Sequence, residues 1–227
     1  MVYNIVILLF IFLVYQKIFR NIRSKINGVS IALLLCTVNI EERKSMYEDI
    51  ILWWLDHSSF DIFIVDSTTN PFHNRIETQC HICRFDQKSL FSDKLPNSTI
   101  LETHALRTAS RYFKNEWSYY TYVVKLTGKY KIPMLQRSLQ SFITNSSVEL
   151  FVQSLHHKGF QNTELYIIKT SLFKYMLLLI DLYDDKQLME HKFNRMLEQN
   201  DFIYQRLHTL KNEANYKRGD GSRLSHV

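Results

Sequence analysis

The amino-acid sequence predicts an α/β domain in which a mainly parallel β-sheet is flanked by helices. Two wholly apolar runs, 31–36 and 62–65, have the composition of strands that are buried on both faces. A segment with helical periodicity separates them, and strand-like and helix-like segments continue to alternate along the chain. The 227 residues are 46% hydrophobic but include only 5 Gly and 3 Pro, which leaves ample material for a core and little for flexible linkers.

The individual elements follow from the same patterns. Predicted strands cover residues 31–36, 62–65, 80–85, 119–132, 148–155 and 165–168. Predicted helices cover residues 45–57, 98–114, a segment that begins at Pro133, 170–182 and 186–210. Because ligands of α/β folds bind beyond the carboxyl ends of the strands, polar residues that directly follow a strand are the candidates for function.

The distribution of charge argues against nucleic-acid binding. The formal net charge is +6, but residues 1–25 carry +4 and the tail 206–227 carries +3, so the body between them sums to −1. A nucleic-acid-binding domain needs a concentrated basic face. A basic nucleic-acid-associated protein is therefore the least favoured class.

Residues 1–26 are predicted to be a signal anchor with a basic flank. Every residue from Ile5 to Tyr15 is apolar or aromatic, the surrounding stretch approaches the length of a short membrane-spanning helix, and no small-residue cleavage site follows. The alternative is a buried or interfacial helix. The cations follow the apolar run, which places the body in the cytosol, whereas a lumenal enzyme would carry them in front. The domain proper is predicted to span 27–210, with a polar tail at 211–227.

Polar side chains follow the first two predicted strands. Thr37, Asn39 and Arg43 come after the first strand, and Asp66 and Ser67 come after the second. A carboxylate at such a position can accept hydrogen bonds from a base or a ribose, and an arginine can pair with a phosphate. For Asp66 the alternative is a turn-forming role.

The segment 125–131, K-L-T-G-K-Y-K, is the most informative stretch of the chain. If it forms a strand, alternate side chains share one face. The residues on that face are Lys125, Thr127, Lys129 and Lys131. Three ammonium groups together suit a diphosphate, and Gly128 would let a ligand approach the backbone. The alternative is an ordinary solvent-facing strand.

These residues resemble a family of small glycosyltransferase-like proteins of the GT-A type. The resemblance rests on the K-x-T-G-x-Y string, the strand ending in Val65-Asp66-Ser67, the helical segment Leu101–Ala105 and a late acidic residue, Glu190. It spans roughly residues 31–198. It implies a Rossmann-like GT-A fold, a nucleotide-sugar donor and a glycan or lipid-linked acceptor. The donor-binding residues are then Thr37, Asn39, Arg43, Asp66, Ser67, Lys125, Thr127, Gly128, Lys129 and Tyr130.

The sequence departs from the family pattern in three places. Lys129 stands where the family has Arg, which keeps the charge but loses the bidentate fork, and no clear Lys-Gly precedes the helix of Glu102. Many GT-A enzymes also hold manganese or magnesium on the donor diphosphate through an Asp-x-Asp motif, and this sequence contains none. We therefore expect metal-independent transfer in which lysines stabilise the departing diphosphate, with a metal-dependent site as the alternative.

Transfer with inversion requires a carboxylate base near the acceptor hydroxyl. The candidates are Glu102 in the helix 98–114, Glu164 before the strand 165–168, and Glu190 in the last helix. Their structural alternatives are interaction with the helix dipole for Glu102 and an ion pair with Lys186 for Glu190.

The sequence therefore predicts a single-pass membrane glycosyltransferase, in the Golgi or endoplasmic reticulum if the organism is eukaryotic. The alternative function is a non-catalytic nucleotide- or glycan-binding relative of the same fold. The altered K-L-T-G-K-Y string and the missing Asp-x-Asp motif favour that alternative.

Overall fold

A computed structural model of the protein describes residues 25–26, 28–38, 40–91, 97–143, 147–153, 159–183, 187–207 and 210. Most of the predicted anchor and the whole of the polar tail lie outside these residues. Within the described part, no helix is both long and apolar enough to cross a membrane.

The described residues contain eight strands that form one sheet. The strands are β1 (Lys25–Ile26), β2 (Val29–Thr37), β3 (Asp61–Asp66), β4 (His81–Arg84), β5 (Tyr122–Thr127), β6 (Leu150–Val152), β7 (Leu165–Lys169) and β8 (Tyr204–Arg206). Their order across the sheet is β4-β3-β2-β5-β7-β6-β8, and β1 pairs with the start of β2. The predicted strands are thus found, and β8 and β1 were not predicted.

The helices of the described part lie between these strands. They are α1 (Glu41–His57), α2 (Asn74–Gln79), α3 (Gln87–Leu90), α4 (Ser98–Tyr112), α5 (Lys114–Trp117), α6 (Leu135–Phe142), α7 (Thr170–Ile180) and α8 (Met189–Gln199). Helix α4 is capped by Asn97, whose side chain accepts a hydrogen bond from the Ile100 N–H at 3.0 Å.

The sheet is mixed, so the prediction of a mainly parallel sheet holds only for part of it. Strands β4, β3, β2 and β5 are parallel neighbours, and β8 is parallel to β6. Strand β7 is antiparallel to both β5 and β6, and β1 is antiparallel to β2.

Each face of the sheet is covered by a separate hydrophobic core. Helices α1 and α6 pack on one face, where Trp54 and Leu139 meet β-strand residues such as Leu33. Helices α4, α7 and α8 pack on the other, where Leu106 and Met176 lie against the opposite sides of the same strands. The continuous apolar runs of β2 and β3 are explained by this burial on both faces.

Several predicted elements are shorter than expected. The predicted strand 119–132 is a strand only over Tyr122–Thr127, because a turn begins at Gly128. The predicted strand 148–155 is a strand only over Leu150–Val152. The predicted helix 186–210 ends at Gln199, and the chain then returns to the sheet as β8.

Candidate functional site

The order of the strands reverses between β2 and β5. Helix α1 leads from β2 to β3 over one face of the sheet, and helix α4 leads from β4 back to β5 over the other. At such a switch point the connections leave in opposite directions and open a crevice beyond the carboxyl ends of the strands. Cys36 and Thr127 pair with each other at this end of β2 and β5, and most of the predicted site residues lie around them.

Asp66, at the end of β3, is completely buried between two hydroxyl groups. Thr37 Oγ1 donates to Asp66 Oδ1 at 2.8 Å, and Thr68 Oγ1 donates to Asp66 Oδ2 at 2.6 Å. The backbone N–H of Ser67 donates to the carbonyl oxygen of Thr37 at 3.2 Å. These contacts bring Thr37, Asp66 and Ser67 together, as predicted, and they fix the ends of β2 and β3 to each other. Asn39 lies outside the described residues.

Gly128 packs against β2. A Cβ atom at this position would lie 2.7 Å from Thr37 Cγ2 and 2.9 Å from the Cys36 carbonyl oxygen, which already accepts a hydrogen bond from the Gly128 N–H at 3.0 Å. The glycine is therefore needed for close packing of two chain segments. The expectation that Gly128 leaves space for a ligand is wrong, because the neighbouring strand fills that space.

Two cationic residues lie near Gly128. Tyr47 lies beside Gly128, with Cε1 at 3.3 Å from the position of the absent Cβ, and Arg43 lies one helical turn before Tyr47 on α1. Burial raises the pKa of the Tyr47 hydroxyl, while Arg43 opposes the shift. Lys129 follows Gly128 directly, and its Nζ lies 4.0 Å from Glu164 Oε1. Arg43 is exposed and Lys129 is half-buried.

Lys125 lies in the second core, where its side chain is 1% exposed. Its Nζ contacts the Glu102 carboxylate and donates to the Thr163 carbonyl oxygen at 2.7 Å. Burial acts to lower the pKa of Lys125, but the charge of Glu102 and its hydrogen bond outweigh burial and hold the pKa above its ordinary value. Lys125 is therefore a buried ammonium that is held by Glu102 and α4.

The three lysines of the K-L-T-G-K-Y-K segment do not share a face, so that prediction is wrong. Lys125 lies on the side of the sheet covered by α4, whereas Lys131 forms an ion pair with Asp49 of α1 at 2.6 Å on the opposite side. The alternation stops because the strand ends at Thr127. Thr127 Oγ1 lies 3.5 Å from Lys125 Nζ, so these two of the predicted residues do lie together.

Of the three candidate carboxylates, Glu102 contacts Lys125, and Glu164 and Glu190 act on the same region through their charges. Helices α4 and α8 start side by side, since the Met189 N–H donates to Thr99 Oγ1 at 3.0 Å. The pKa of Glu190 is raised, chiefly by burial and further by the charges of Glu102 and Glu164, while Lys125 opposes the shift. Burial and the two carboxylates therefore favour the protonated form of Glu190 relative to an ordinary glutamate.

Glu164 is held at the same corner through a different set of contacts. Its Oε1 accepts a short hydrogen bond from the Tyr130 hydroxyl, and its carbonyl oxygen accepts from the Thr127 N–H at 2.9 Å. The Tyr130 carbonyl oxygen accepts from Trp54 Nε1 at 2.9 Å. Tyr130 thus links Glu164 to the core beneath α1.

Two residues near Lys125, Tyr166 and Cys36, were not predicted as site residues. Tyr166 stands opposite Lys125 in the β5–β7 pairing, and its ring centroid is 5.6 Å from Lys125 Nζ. The Tyr166 hydroxyl is buried and has no hydrogen-bond partner in the part of the chain that the structure describes. Burial raises the pKa of Cys36 to about 12, so its thiol stays protonated. The alternation of Leu165-Tyr166-Ile167-Ile168 was the available signal for Tyr166.

The Glu102 carboxylate is already paired with a cation of the protein, Lys125. A divalent metal would compete with this ammonium for the same oxygen atoms. Among the described residues, no three His, Cys, Asp or Glu side chains lie close enough together to hold an ion.

Comparison with known proteins gives only weak similarities. No protein-family model matches this chain, and no curated protein matches its sequence. A cytidylyltransferase from Leptospira borgpetersenii is 12% identical, with a TM-score of 0.45, and the match covers 78% of this chain and 75% of that one. The glycosyltransferase GlyE of Streptococcus pneumoniae is 12% identical, with a TM-score of 0.47, and the match covers 79% of this chain but only 46% of GlyE.

A third solved structure is glucosyl-3-phosphoglycerate synthase from Mycobacterium tuberculosis, in complex with Mn²⁺, uridine diphosphate and glucosyl-3-phosphoglycerate. It is 12% identical, with a TM-score of 0.45, and the match covers 82% of this chain and 71% of that one. Because these TM-scores lie below 0.5, the similarities establish neither a common fold nor a common activity. The function must therefore be argued from the site itself.

Proposed function

We propose that this protein is a glycosyltransferase of the GT-A type that moves a sugar from a nucleotide-sugar donor to a hydroxyl of a glycan or a lipid-linked acceptor. One observation supports this most directly. Glu102 contacts the buried Lys125, and the charges of both residues act on Glu190, at the carboxyl ends of the strands and beside the point where the strand order reverses. A half-buried carboxylate with a raised pKa in such a crevice is suited to accept a proton.

Glu190 is the carboxylate assigned to that proton transfer. In a direct displacement, the acceptor hydroxyl oxygen forms a bond to the anomeric carbon, and the bond from that carbon to the diphosphate oxygen breaks. The hydroxyl proton passes to Glu190, and the nucleoside diphosphate leaves with the bonding electrons. A base whose pKa is raised towards neutrality binds this proton more strongly than an ordinary glutamate does.

Lys125 and Glu102 act together as a positioning pair in this proposal. Lys125 Nζ is already engaged by Glu102 and the Thr163 carbonyl oxygen, and its side chain is almost fully buried. The role first predicted for Lys125, direct stabilisation of the diphosphate, is therefore replaced by a role in orienting Glu102 and limiting the rise in the pKa of Glu190.

The diphosphate is assigned to Arg43 and Lys129. Lys129 follows Gly128 directly, at the end of β5, and Arg43 lies one helical turn before Tyr47, whose ring lies beside Gly128. Arginine offers bidentate hydrogen bonds to phosphate oxygens, and lysine offers a compact charge. Fixed cations at this position stabilise the negative charge that develops on the leaving diphosphate.

The decisive experiment measures donor binding and sugar transfer separately. The full chain is solubilised in detergent, and its thermal shift is measured with a panel of nucleotide sugars, with and without manganese. A ligand at 100 times its dissociation constant stabilises the folded state by about 2.7 kcal/mol. We expect a shift with one nucleotide family, release of the corresponding nucleoside diphosphate, and loss of this release in Glu190→Gln with the thermal shift retained.

The matched control is Glu198→Gln, an exposed glutamate near the other end of α8. It should leave both the thermal shift and the release unchanged. No thermal shift with any nucleotide sugar would contradict the proposal. Release that requires manganese would contradict the metal-independent mechanism, although the transferase activity would stand.

The second candidate is a non-catalytic relative that binds a nucleotide or a glycan. The observation that favours it is the engagement of Lys125 by Glu102, which removes Lys125 from the cations that could hold the diphosphate. This candidate predicts a thermal shift without any release of nucleoside diphosphate by the wild-type protein. The predicted membrane anchor is compatible with both candidates.

A further inference from the structure

A groove between α4 and α7 lies on the outside of the second core. It has a volume of about 240 Å³ and is lined by Arg107, Ser110, Arg111, Lys174, Leu177, Leu178 and Asp181. Three of these side chains are cationic, and the single carboxylate, Asp181, forms an ion pair with Arg107. The groove is therefore a positively charged surface with an apolar component.

Exposed leucines extend the groove beyond the end of α7. Leu178 follows Lys174 by one helical turn and is 56% exposed, and Leu182 follows Leu178 by another turn and is 77% exposed. Monomeric soluble proteins seldom expose large side chains in a row beside a cluster of cations. Arg107, Arg111, Lys174, Leu178 and Leu182 are named the α4–α7 surface here.

The arginines of this surface act electrostatically on a neighbouring residue, His104. The pKa of His104, one turn before Arg107 on α4, is lowered chiefly by burial and further by the charges of Arg107 and Arg111. The three cations of the groove lining outnumber its single carboxylate, Asp181. An anionic occupant would be attracted to the groove.

The surface also has a defined position relative to the start of the chain. Helix α7 begins beside the amino ends of the strands, where Thr170 Oγ1 donates to the Tyr120 carbonyl oxygen at 2.6 Å. Ser30, at the start of β2, donates to the neighbouring Tyr119 carbonyl oxygen at 2.8 Å. Strand β1 enters at this same edge, directly after the apolar segment and basic flank that begin the sequence.

We propose that the α4–α7 surface docks on an anionic lipid membrane, with Leu178 and Leu182 in the interfacial layer and Arg107, Arg111 and Lys174 against the lipid phosphates. Apolar side chains bordered by Lys and Arg are the pattern of a surface that lies on a membrane. A membrane is favoured over a protein partner because three cations complement anionic lipid phosphates, and because the chain enters the domain at the edge where α7 begins, directly after the apolar run of residues 5–15. This inference is independent of the catalytic proposal.

The test uses tryptophan emission and lipids that carry bromine on the acyl chain, because bromine quenches only a tryptophan that it contacts. The full chain is reconstituted in vesicles of brominated phosphatidylcholine, with or without phosphatidylserine. Leu182→Trp places a probe on the surface, and Met134→Trp, 46% exposed on the other side of the sheet, is the matched control. The emission of the three native tryptophans is subtracted.

We expect quenching of Leu182→Trp in vesicles with phosphatidylserine and no quenching of Met134→Trp. Adding Arg111→Gln and Lys174→Gln should abolish the quenching, whereas the exchange of Arg111→Lys with Lys174→Arg should preserve it, since the charge remains. Arg107 is kept because its loss would leave Asp181 unpaired.

Three results would overturn the proposal. The first is an unquenched Leu182→Trp, and the second is equal quenching of both probes, which would mean that the anchor alone brings the whole domain near lipid. The third is a blue shift of the Leu182→Trp emission that appears in detergent without lipid and grows with protein concentration. That result would identify a second copy of the chain as the occupant.

Discussion

The ammonium of Lys125 and the carboxylate of Glu102 form an ion pair in which the lysine is 1% exposed and the glutamate 25% exposed. The pair joins β5 to the first turns of α4. On the side of β7, the Thr163 carbonyl oxygen accepts a hydrogen bond from Lys125 Nζ. A charge that is this deeply buried is compensated only by its partners, since water cannot reach it. The stability of this corner therefore depends on the pair remaining intact.

Replacement of Lys125 by Met should destabilise the protein strongly. Glu102 would lose its cation, and removal of one partner of a buried pair costs about 3–5 kcal/mol. The control is Lys131→Met, because its partner Asp49 is 53% exposed and such pairs contribute no more than about 1 kcal/mol. Urea unfolding measures the loss of unfolding free energy in both variants. Equal losses would show that the Lys125–Glu102 pair contributes no more than the exposed pair.

Replacement of Glu190 by Gln should stabilise the protein at neutral pH. Because the pKa of Glu190 is raised in the folded state, folding favours its protonated form. Glu190 contributes its full stabilisation below about pH 4.3, the pKa of a glutamate in the unfolded chain. This contribution is lost as the pH rises through the pKa of Glu190 in the folded protein. Gln mimics the protonated form, so the advantage of the variant should be present at pH 7 and vanish at pH 4.

Melting temperatures of wild type and Glu190→Gln across this pH range test the sign of the effect. Glu198→Gln, at the exposed end of the same helix, supplies the baseline. A Glu190→Gln variant that is less stable than wild type at pH 7 would mean that the carboxylate is stabilised in its charged form. The burial of Glu190 would then not dominate its environment.

The rate of nucleoside diphosphate release should fall on the acid side as Glu190 becomes protonated. Since the base must be deprotonated, the fall in rate on the acid side of the pH–rate profile should occur above the ordinary pKa of glutamate. Glu102→Gln removes one of the charges that raise the pKa of Glu190, so the fall should move to lower pH. Glu190→Gln should lower the rate by roughly 10²–10⁴-fold. An unchanged profile in Glu190→Gln would assign the base elsewhere.

Replacement of Gly128 by Ala should destabilise the protein by about 1–3 kcal/mol, because the added methyl group would overlap Thr37 Cγ2 and the Cys36 carbonyl oxygen. Thr37→Ser removes the Thr37 methyl group but keeps the hydroxyl that bonds Asp66. The double variant should therefore recover part of the loss in a thermal unfolding experiment. Strict additivity of the two effects would mean that the two side chains do not interact.

The order of the elements could be predicted from the sequence because each strand and helix carries its own periodicity. The runs at β2 and β3 are apolar throughout, which is what burial on both faces requires. Strand β8 was not predictable in the same way. Its three residues, Tyr204–Arg206, are all exposed and carry no alternation, so only pairing with β6 gives them their structure.

Glu102, Glu164 and Glu190 were predicted from the sequence only as separate candidates. The position of Glu190 near Glu102 depends on the contact between Thr99 and the start of α8, and the position of Glu164 beside β5 depends on the insertion of β7 between β5 and β6. Neither is a local property of the chain. The prediction that the lysines share a face failed for a local reason. Side chains alternate between faces only within a strand, and this strand ends at Thr127.

The position of β7 has a consequence for synthesis of the protein. Lys125 lies in a strand whose outer neighbour, β7, is made later, and the carboxylate of Glu190 comes later still. During translation the first strands and α4 can assemble while Lys125 lacks Thr163 and Tyr166. A nascent chain that stalls before α8 therefore holds an incompletely surrounded ammonium and has no proton acceptor at Glu190. Activity should appear only when nearly the whole domain has left the ribosome.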